Sequence, residues 1–581
     1  MKFSEFAVFL QKIEATPKRL EMTKTLAVVF QELDQEEIQS ACYLLQGKVV
    51  PVYIAQEFQM STKMMLRVLD QIQSSKTNEL ELDGDAKLSD LSERYKKVGD
   101  IGVFAEEILS TLPAVTTSLS VLEIFTQLVQ ITKEGGAGSQ ARKIELTVQL
   151  FQSIDALSAR YISRMIVGNM RLGFSDMTMI DALSWSLVGD KSLSSQIELA
   201  YQKQADIGVI AKELRSKGIG GLDHISVRVG TPVIPALCQR LNTAQEIIEK
   251  MSTVYAEPKY DGTRVQIHFK RQSNGSSIIR TYTRNLEESS HMFPELQELE
   301  KILTCDSCIL DSEAIGYDPK TDSLLPFQQT IQRKRKHGVE ETAKSIPLRF
   351  FIFDVLAVND ESCLDLPLLE RKLKLKQLFT SDQTFVHSPY IETSDPVTLH
   401  NYHEQQLLEG LEGVVIKKVD AVYQSGRKGY SWVKIKEAEG VRGKLSDTVD
   451  AVVMGYFYGS GKRTQFGMGA ALVGVLNEQG EIVTISKVGS GFTEATTQEF
   501  VQRVKDLVRE EKPSVYQVNK LLLPDVWVDP GLVIEIAADE LTQSPSHTSG
   551  VALRFPRIIR FRDDKKWDQA TTLEELKKFT I

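Results

Sequence analysis

The segment KYDGTR, residues 259–264, places an amine, a carboxylate, a glycine and a guanidinium between two apolar stretches. A lysine in this setting belongs either to a solvated hairpin or to a site where its amine attacks a substrate. Asp-Gly is ordinary turn chemistry, so the segment alone is a modest signal. A free lysine titrates at about pH 10.4, so an amine that attacks at neutral pH needs neighbouring cations that favour loss of its proton. The residues that follow decide between the two interpretations.

Further residues suited to phosphate and nucleotide chemistry follow KYDGTR at ordered intervals. They are Arg284, Glu313, Phe353, Glu412, Lys417, Lys434 and Lys436. Lys434 and Lys436 point to the same side of the strand predicted for SWVKIK, because alternate strand residues share a face. Each residue alone has an ordinary structural explanation, since a single phenylalanine is more often part of a core. Their joint order favours a site.

The residue pattern of the chain that must position these residues changes twice. Residues 1 to about 225 repeat apolar side chains at three- and four-residue spacing, which predicts helices. After VGTPVIPAL at 229–237 strands dominate, and beyond EGVRGKLSD at 439–447 short strands with glycine turns suit a small closed barrel. We therefore predict a multidomain fold with an all-α N-terminal domain at 1–228, an α+β domain at 229–445 and an all-β barrel at 446–581.

The stretch RVQIHFK illustrates the change from helices to strands. Val265, Ile267 and Phe269 alternate with the polar residues Arg264, Gln266 and His268. This period of two predicts a strand with one apolar face.

Composition fits a globular chain that acts on a polyanion. The 581 residues carry a net charge of −9, yet basic runs occur at 332–338, 426–436 and 554–562. These runs favour one positive surface for a polyphosphate or a nucleic-acid backbone. No stretch of about 18 apolar residues predicts a membrane span, and the charged N-terminal stretch lacks the core of a signal peptide. We expect a cytoplasmic protein without a disulfide framework, since five cysteines are few for this length.

The order of the motifs resembles the covalent nucleotidyltransferases, and specifically the ATP-dependent DNA ligases of the archaeal and eukaryotic replicative type. RLGFSDMTMIDAL resembles the RLG segment of that family's helical DNA-binding domain. GSGKRTQFGMGAALVGV, SKVGSGF and ALRFPRIIRFRDDK resemble its oligonucleotide-fold domain. The resemblance covers nearly the whole chain. It implies an all-α DNA-binding domain, an α+β adenylation domain and an all-β oligonucleotide-fold barrel that close around duplex DNA.

The resemblance implies roles for the residues that would bind the nucleotide. Lys259 matches the lysine that attacks the α-phosphate of ATP and forms lysyl-AMP. Glu257 matches the acceptor for the adenine amino group, and Phe353 matches the ring that stacks on adenine. Arg264 and Arg284 match residues that hold AMP and later the 5′-phosphate of the DNA.

Phosphate and metal ligands are implied in the same way. Lys417, Lys434 and Lys436 complete the set matched to ATP binding, and the last two would stabilise charge that develops on the α-phosphate. Glu313 and Glu412 match ligands of Mg²⁺, which prefers hard oxygen donors. Glu313 thus belongs to both the nucleotide and the metal set.

Further residues are matched to pyrophosphate and to DNA. Arg554 and Arg557 match arginines that orient the departing pyrophosphate. Phe327 and Phe555 match aromatic side chains that press into the minor groove beside a nick, as apolar wedges do in other proteins. A place in the core is the alternative for each phenylalanine.

One position departs from the family pattern. Lys428 stands where the family usually has arginine, and Arg427 comes directly before it. Arginine binds phosphate as a fork, whereas lysine binds it as a point charge. Lys428 is the positional match for ATP binding, and the sequence leaves open which of the two residues takes the role.

The implied reaction has three steps and uses ATP and Mg²⁺. Lys259 takes AMP from ATP, AMP passes to the 5′-phosphate at a nick, and the 3′-hydroxyl then expels AMP. The implied partner is nicked duplex DNA, bound by a monomer without a membrane, and a sliding clamp is a candidate partner.

Other functions remain as alternatives. An RNA ligase or an mRNA capping enzyme shares the KxDG chemistry, but the helical first part and the LRFPR motif argue against both. A non-catalytic DNA-binding scaffold is disfavoured because every expected catalytic residue type is present. NAD⁺ as the AMP donor would be accompanied by an N-terminal nicotinamide-binding segment and a four-cysteine zinc module, and neither is recognisable in the sequence.

Overall fold

The computed structural model describes residues 1–76, 84–113, 115, 119–333, 339–436, 448–459, 467–538 and 540–578. The chain divides into two compact units, Met1–Lys436 and Glu437–Ile581. Helices and then two sheets make up the first unit, and the second consists mainly of strands, which confirms the predicted fold class. The predicted boundary at 445 lies outside the described residues, and the domain limits stay predictions. Across the described residues, no helix is long and apolar enough to cross a membrane.

The helical region follows the predicted apolar spacing. Its helices are α1 Phe3–Glu14, α2 Arg19–Glu32, α3 Glu37–Leu45, α4 Thr62–Lys76, α5 Gly84–Val98, α6 Ile101–Ser110, α7 Val121–Lys133, α8 Ser139–Phe151, α9 Ala156–Ile166, α10 Asp176–Val188, α11 Ser194–Lys203 and α12 Ile207–Lys217. In α9 the buried guanidinium of Arg164 lies 2.8 Å from Asp100, which caps α6, and 2.9 Å from Glu14 at the end of α1. This ion-pair network joins three helices.

Two sheets follow the helices in the first unit. The five-stranded sheet has the order β1-β11-β10-β2-β9, and the other has the order β4-β3-β5-β6-β7 with β8 beside β6. The strands are β1 Gln239–Arg240, β2 Val254–Pro258, β3 Thr263–Arg271, β4 Ser277–Thr283, β5 Ser307–Gly316, β6 Leu348–Val358, β7 Glu361–Ser362, β8 Phe385–His387, β9 Ile391–Thr393, β10 Gly413–Lys418 and β11 Trp432–Lys436. The helices are α13 Ala244–Met251, α14 Leu299–Ile302, α15 Phe327–Thr330, α16 Val339–Ser345, α17 Leu368–Leu378 and α18 Pro396–Leu408.

The alternation predicted for RVQIHFK is confirmed in β3. Val265, Ile267 and Phe269 are fully buried in one hydrophobic core of the sheet region. Gln266 and His268, on the other face, are buried as well. Both faces of this strand are therefore covered, although only one face is apolar.

The polar face of β3 holds the segment that follows the helical region. The Gln266 side chain accepts a hydrogen bond from the Val233 amide at 2.8 Å, and His268 Nδ1 accepts one from the Gly230 amide at 3.1 Å. Burial lowers the pKa of His268 to about 3, so the ring is neutral at neutral pH and can accept this hydrogen bond. The buried polar residues of β3 thus satisfy backbone donors.

The same segment also contacts the last helices. The Ile234 amide donates to the Gln202 carbonyl at 3.0 Å, and the Ala205 amide donates to the Pro232 carbonyl at 3.1 Å. The helical region and the sheets are therefore joined by backbone hydrogen bonds as well as by chain connection.

The second unit is rich in short strands, as predicted. Its strands are β12 Val449–Phe457, β13 Ala470–Leu476, β14 Ile482–Val488, β15 Val508–Arg509, β16 Tyr516–Gln517, β17 Val526–Val528, β18 Val533–Ala537, β19 Glu540–Gln543, β20 Val551–Arg554 and β21 Arg557–Phe561, with helices α19 Glu494–Val504 and α20 Leu573–Lys578. The main sheet runs β15-β17-β12-β13-β14-β16, with β18 pairing β12 and β21. A bridge between Ser490, two residues after β14, and Arg557 of β21 completes the ring β12-β13-β14-β21-β18, as expected for a small barrel.

A fully buried ion pair fixes β6 against α17. Arg371 forms a fork to Asp354, with Nε 2.8 Å from Oδ1 and Nη2 3.0 Å from Oδ2, and neither side chain is exposed. Arg371 also donates to the Leu366 carbonyl at 2.7 Å. Because Asp354 adjoins Phe353, this pair also fixes the backbone of an expected site residue.

We predict that Arg371→Met destabilises the first unit by about 3–5 kcal/mol, because it leaves the Asp354 carboxylate buried without its partner. Hydrogen exchange of the β6 amides in a urea series measures this loss. Lys301→Met removes an exposed pair with Glu298 and serves as the control, with an expected change within about 0.5 kcal/mol. Equal protection of β6 in both variants would contradict the prediction.

Candidate active site

A cavity of about 420 Å³ is lined by residues from both sheets of the first unit. This volume lies in the range of sites that hold small molecules. The lining includes the expected residues Glu257, Lys259, Arg264, Arg284, Glu313, Phe327, Phe353, Lys417 and Lys434. The structure therefore brings together most residues that the sequence singled out in this unit.

The five-stranded sheet provides one wall through its period of two. Glu257, Val415 and Lys434 are partners across β2, β10 and β11, and they line the cavity. The intervening residues, such as Ala256 and Ile416, are buried in an apolar cluster on the opposite face. Alternate residues of the same strands thus build a core and a polar site.

The segment KYDGTR is the connection between the two sheets and not a hairpin. It leaves β2 of the five-stranded sheet and enters β3 of the other sheet. The Lys259 amide donates to the Gly413 carbonyl at 2.8 Å, and the Glu412 amide donates to the Lys259 carbonyl at 3.2 Å. These backbone bonds extend the pairing of β2 with β10 and set Lys259 beside Glu412.

Gly262 is required because β5 leaves no room for a side chain at this position. A Cβ atom at this position would lie 2.6 Å from the Ala314 carbonyl oxygen and 2.6 Å from Ile315 Cγ1, both of β5. Real Cβ contacts are longer, so any side chain here pushes the segment away from β5. The glycine therefore lets the segment that carries Lys259 pack closely against β5.

The Lys259 ammonium forms a direct ion pair with the Glu412 carboxylate. Each of the two side chains is one-fifth exposed, so the pair is partly accessible to solvent and not deep in the core. The expected nucleophile and an expected metal ligand are thus partners in the structure.

Glu313 is a half-buried carboxylate in a crowded electrostatic environment. It pairs with Arg264 across the β3–β5 ladder. Burial raises its pKa to about 7, against the influence of Lys259 and Arg264, while Asp311 and Asp261 act in the same direction as burial. A carboxylate in this setting gains from an added cation. The oxygen donors of Glu313 and Glu412 are of the type that Mg²⁺ prefers.

Arg264 is held by a carboxylate that sequence reasoning missed. Its Nε lies 2.9 Å from Asp311 Oδ1 and its Nη2 lies 2.5 Å from Oδ2, while Nη1 donates to the Ala236 carbonyl at 2.6 Å. Burial alone would lower the pKa of Arg264, but Asp311 and Tyr423 raise it above its usual value. The guanidinium is therefore a fixed cation at the cavity wall.

The cavity lining also combines aromatic rings with a buried lysine. The Lys417 ammonium lies 2.8 Å from Glu257 Oε2 and 4.3 Å from the ring centres of both Phe353 and Trp432. Phe353 and Trp432 meet edge to face at 6.0 Å. Burial lowers the pKa of Lys417, which is the direction expected for an ammonium withdrawn from water.

The structure places Arg427, and not Lys428, on the cavity. Arg427 is part of the lining, whereas the Lys428 ammonium lies 2.7 Å from Glu198 of α11 in the helical region. Consecutive residues of an extended loop point in different directions, which separates the two side chains. Lys436 ends β11, and its side chain lies outside the described residues.

The expected wedge residues have different surroundings. Phe327 begins the short helix α15 and is half-buried against the cavity. Phe555 belongs to the second unit, where it is 60% exposed with a φ of 52° between β20 and β21. A φ in the left-handed region costs free energy for a residue with a large side chain, so the surrounding chain must hold the Phe555 backbone in this conformation. A place in the core is thereby wrong for Phe555. Arg554 and Arg557 flank it at the ends of these two strands.

Some residues of the site were found only in the structure. Asp311 stands two residues before Glu313, and Trp432 stands two residues before Lys434, so strand alternation alone could have placed both on the cavity face. Tyr423, whose hydroxyl lies 3.2 Å from Asp311 Oδ2, carries no such signal, because it lies in a loop.

Comparison with known protein families gives matches in all three parts of the chain. A family model described as "DNA ligase N terminus" matches residues 2–184. One described as "ATP dependent DNA ligase domain" matches residues 235–436, which contain the cavity. One described as "ATP dependent DNA ligase C terminal region" matches residues 464–565.

Individual relatives match along their whole length. The chain is 39% identical to a probable DNA ligase of Dictyoglomus turgidum, over 99% of this chain and 97% of that protein. It is 35% identical to DNA ligase 2 of Thermofilum pendens, over 99% of this chain and 96% of that protein. A solved structure named Pmar-Lig_PreS3 is similar in fold, with a TM-score of 0.55 at 16% identity over 96% of this chain and 99% of its own.

We predict that Gly262→Ala lowers the rate at which Lys259 is labelled by ATP. A displacement of about 1 Å at a reacting group costs up to about 100-fold, and the added methyl group must displace the lysine segment. Single-turnover labelling with ATP that carries an isotope in its α-phosphate measures the rate. Gly220→Ala is the matched control, because a Cβ atom there meets nothing within 4 Å. Equal labelling of the two variants would show that the close approach is irrelevant to the site.

Proposed function

Because the chain belongs to the ATP-dependent DNA ligase family, we propose how the residues of its cavity join the ends of a nick in duplex DNA. The enzyme forms phosphodiester bonds at the expense of ATP, an activity that serves DNA replication, repair and recombination. One observation carries the residue assignments. The ammonium group of Lys259 lies in a nucleotide-sized cavity in contact with Glu412.

The first step joins Lys259 to AMP. The nitrogen lone pair attacks the α-phosphorus of ATP, an N–P bond forms, and the electron pair of the broken P–O bond leaves with pyrophosphate. Lys259 must lose a proton before it attacks, and Glu412 is the acceptor in contact with its ammonium group. Holding amine and phosphorus in one cavity makes the attack effectively intramolecular.

The remaining cavity residues bind the parts of ATP. Glu257 accepts a hydrogen bond from the adenine amino group, and Phe353 packs on the base. Lys434 and Arg427 bind oxygens of the α-phosphate and stabilise the charge that develops there. This arrangement is supported by the common lining of the cavity, which holds the groups proposed for the base together with Lys259, Lys434 and Arg427. Lys436 keeps its assignment from the sequence alone.

We assign Mg²⁺ to the oxygens of Glu313 and Glu412. The donor set fits, because burial raises the pKa of Glu313 and a nearby cation favours its ionised form. When bound, Mg²⁺ would neutralise charge on the phosphate oxygens of ATP. Glu412 also holds the Lys259 ammonium, so a bound ion would share this carboxylate with the lysine.

The two later steps act on the DNA. AMP passes from Lys259 to the 5′-phosphate of the nick as the N–P bond breaks and a P–O bond forms. The 3′-hydroxyl then attacks the 5′-phosphorus, a phosphodiester forms, and AMP leaves with the electron pair of the broken bond. Arg264, which Asp311 fixes at the cavity wall, and Arg284, exposed at the rim, are proposed to hold the phosphate during both steps.

The second unit is proposed to contribute to both ends of the reaction. Arg554 and Arg557 orient the departing pyrophosphate in the first step. Phe555 presses into the minor groove beside the nick, which its exposure supports, and Phe327 does so from the cavity side.

The substrate is nicked duplex DNA. We propose that the enzyme acts as a monomer in the cytoplasm. The cytoplasmic location is supported by the five cysteines, which are all free thiols, as is usual in a reducing compartment. A sliding clamp remains a candidate partner predicted from the family resemblance.

We predict that Lys259→Ala abolishes labelling by ATP and sealing of an ordinary nick but retains sealing of a nick that already carries AMP on its 5′-phosphate. The amine is needed only to make the activated intermediate. Lys259→Arg keeps the positive charge but cannot lose its proton, so it also fails to label. Labelling by isotopic ATP and gel assays on both DNA substrates measure the two activities.

Lys250→Ala is the control for the loss of a lysine in the same domain, because Lys250 pairs with Glu246 on the surface of α13. It should label and seal like the parent protein. Robust label on Lys259→Ala would mean that the nucleophile lies elsewhere.

We predict that Phe555→Ala weakens nick sealing at limiting DNA by about 10-fold and leaves labelling by ATP within about twofold. Contacts of one aromatic ring with bases contribute about 1–3 kcal/mol, and nothing in the first step needs this ring. Tyr458→Ala removes an equally exposed aromatic side chain of the same unit, 58% exposed, and is the matched control. If both variants seal alike at every DNA concentration, Phe555 is an ordinary surface residue.

A further inference from the structure

A carboxylate bridged by two lysines lies at the end of the cavity where the base is expected. Lys417 of β10 lies 2.8 Å from Glu257 Oε2, and Lys372 of α17 lies 2.5 Å from Glu257 Oε1. At most 4% of any of the three side chains is exposed. Each oxygen of Glu257 therefore has its own ammonium partner in a region withdrawn from water.

Lys372 reaches this carboxylate from outside the cavity. Glu257 and Lys417 belong to the cavity lining, and Lys372 does not. The Lys372 ammonium lies 4.9 Å from the ring centre of Tyr390. Tyr390 in turn packs on Tyr255 of β2, at a ring distance of 4.4 Å. Lys372 is thus anchored to the strand that carries Glu257, through a tyrosine on the same face of that strand and outside the cavity lining.

The charge balance decides which hydrogen bonds Glu257 can make. A carboxylate that is paired with two ammonium groups presents oxygen acceptors and no donor. Glu257 therefore attracts a base that presents an N–H group and repels one that presents a carbonyl oxygen.

We propose that Lys372 is a positioning residue that sets the base specificity of the enzyme, by holding the Glu257 carboxylate in the orientation that accepts from a 6-amino group. Adenine presents such an amino group, whereas hypoxanthine and guanine present a carbonyl oxygen at the same position. The proposal rests on the function proposed above, in which Glu257 meets the amino group of adenine. It assigns a role in nucleotide selection to a residue that does not touch the nucleotide.

The experiment measures coupling between Lys372 and the 6-amino group. Parent protein and Lys372→Met are compared with ATP, with the triphosphate of purine riboside, which lacks the amino group, and with ITP. The increase in mass of the intact protein gives kcat/KM for labelling of Lys259 by each triphosphate. Lys376→Met is the matched control, because Lys376 lies one turn further along α17 and also packs on the Tyr390 ring, at 5.3 Å.

The expected result is a selective loss. Lys372→Met should lower kcat/KM for ATP by about 10- to 100-fold, the range for a hydrogen bond to a charged group. It should lower the value for purine riboside triphosphate by less than about threefold and reduce the preference for ATP over ITP accordingly. Lys376→Met should change none of these values by more than about twofold.

Other outcomes would overturn the proposal. An equal loss with ATP and with purine riboside triphosphate would make Lys372 a purely structural residue, and no loss with either would make it irrelevant. Lys372→Gln, which keeps a donor without the charge, gives the same comparison if Lys372→Met does not fold. Lys372→Arg keeps the charge and should keep the preference for ATP.

Glu257→Gln separates this proposal from the one on which it rests. If Glu257→Gln shows selective loss with ATP and Lys372→Met does not, only the role of Lys372 is wrong. If neither variant distinguishes ATP from purine riboside triphosphate, the assignment of Glu257 to the amino group is wrong as well. If the parent protein takes up no AMP at Lys259, the proposed mechanism itself fails.

Discussion

The antiparallel pairing of β2 with β10 is the constraint on which the active site depends. It sets Glu257 opposite Val415 and continues past the end of β2, where the Lys259 amide binds the Gly413 carbonyl. Because the register is fixed, the nucleophile and Glu412 meet without any further element. A shift of one residue would turn Glu257 into the apolar core and Ala256 into the cavity. The apolar cluster on the other face of the sheet makes such a shift costly and thereby protects the chemistry.

Three cations of the cavity are paired with carboxylates in the structure. Lys259 is held by Glu412, Arg264 by Asp311, and Lys417 by Glu257. Pairing is what allows such groups to lie away from water, since isolated buried charges are strongly disfavoured. ATP and its metal ion must therefore exchange partners with these residues. Each step of the reaction therefore moves charge between paired groups, and no step leaves an isolated buried charge.

The family, the order of elements and most cavity residues could be predicted from the sequence, because strand periodicity and motif spacing are local signals. Val265 and its alternating neighbours illustrate this. The connection that carries Lys259 was harder, since β2 and β3 flank KYDGTR like a hairpin and only their distant partners assign them to different sheets. Lys372 could not be predicted, because its contact with Glu257 comes from the packing of α17 on β6. The choice between Arg427 and Lys428 likewise depended on Glu198, which lies more than two hundred residues earlier in the chain.

The contact between Lys428 and Glu198 also has a thermodynamic consequence. It joins the loop that carries Arg427 to the helical region, and the lysine is nearly half exposed. A polyanion that binds Lys428 in place of Glu198 breaks an ion pair between this loop and the helical region. Linkage is reciprocal, so nucleotide binding that moves the loop changes the affinity of Lys428 for the polyanion by the same factor. This solvent-accessible ion pair thus couples the binding of a polyanion to the position of the loop that carries Arg427. The strength of the coupling depends on ionic strength.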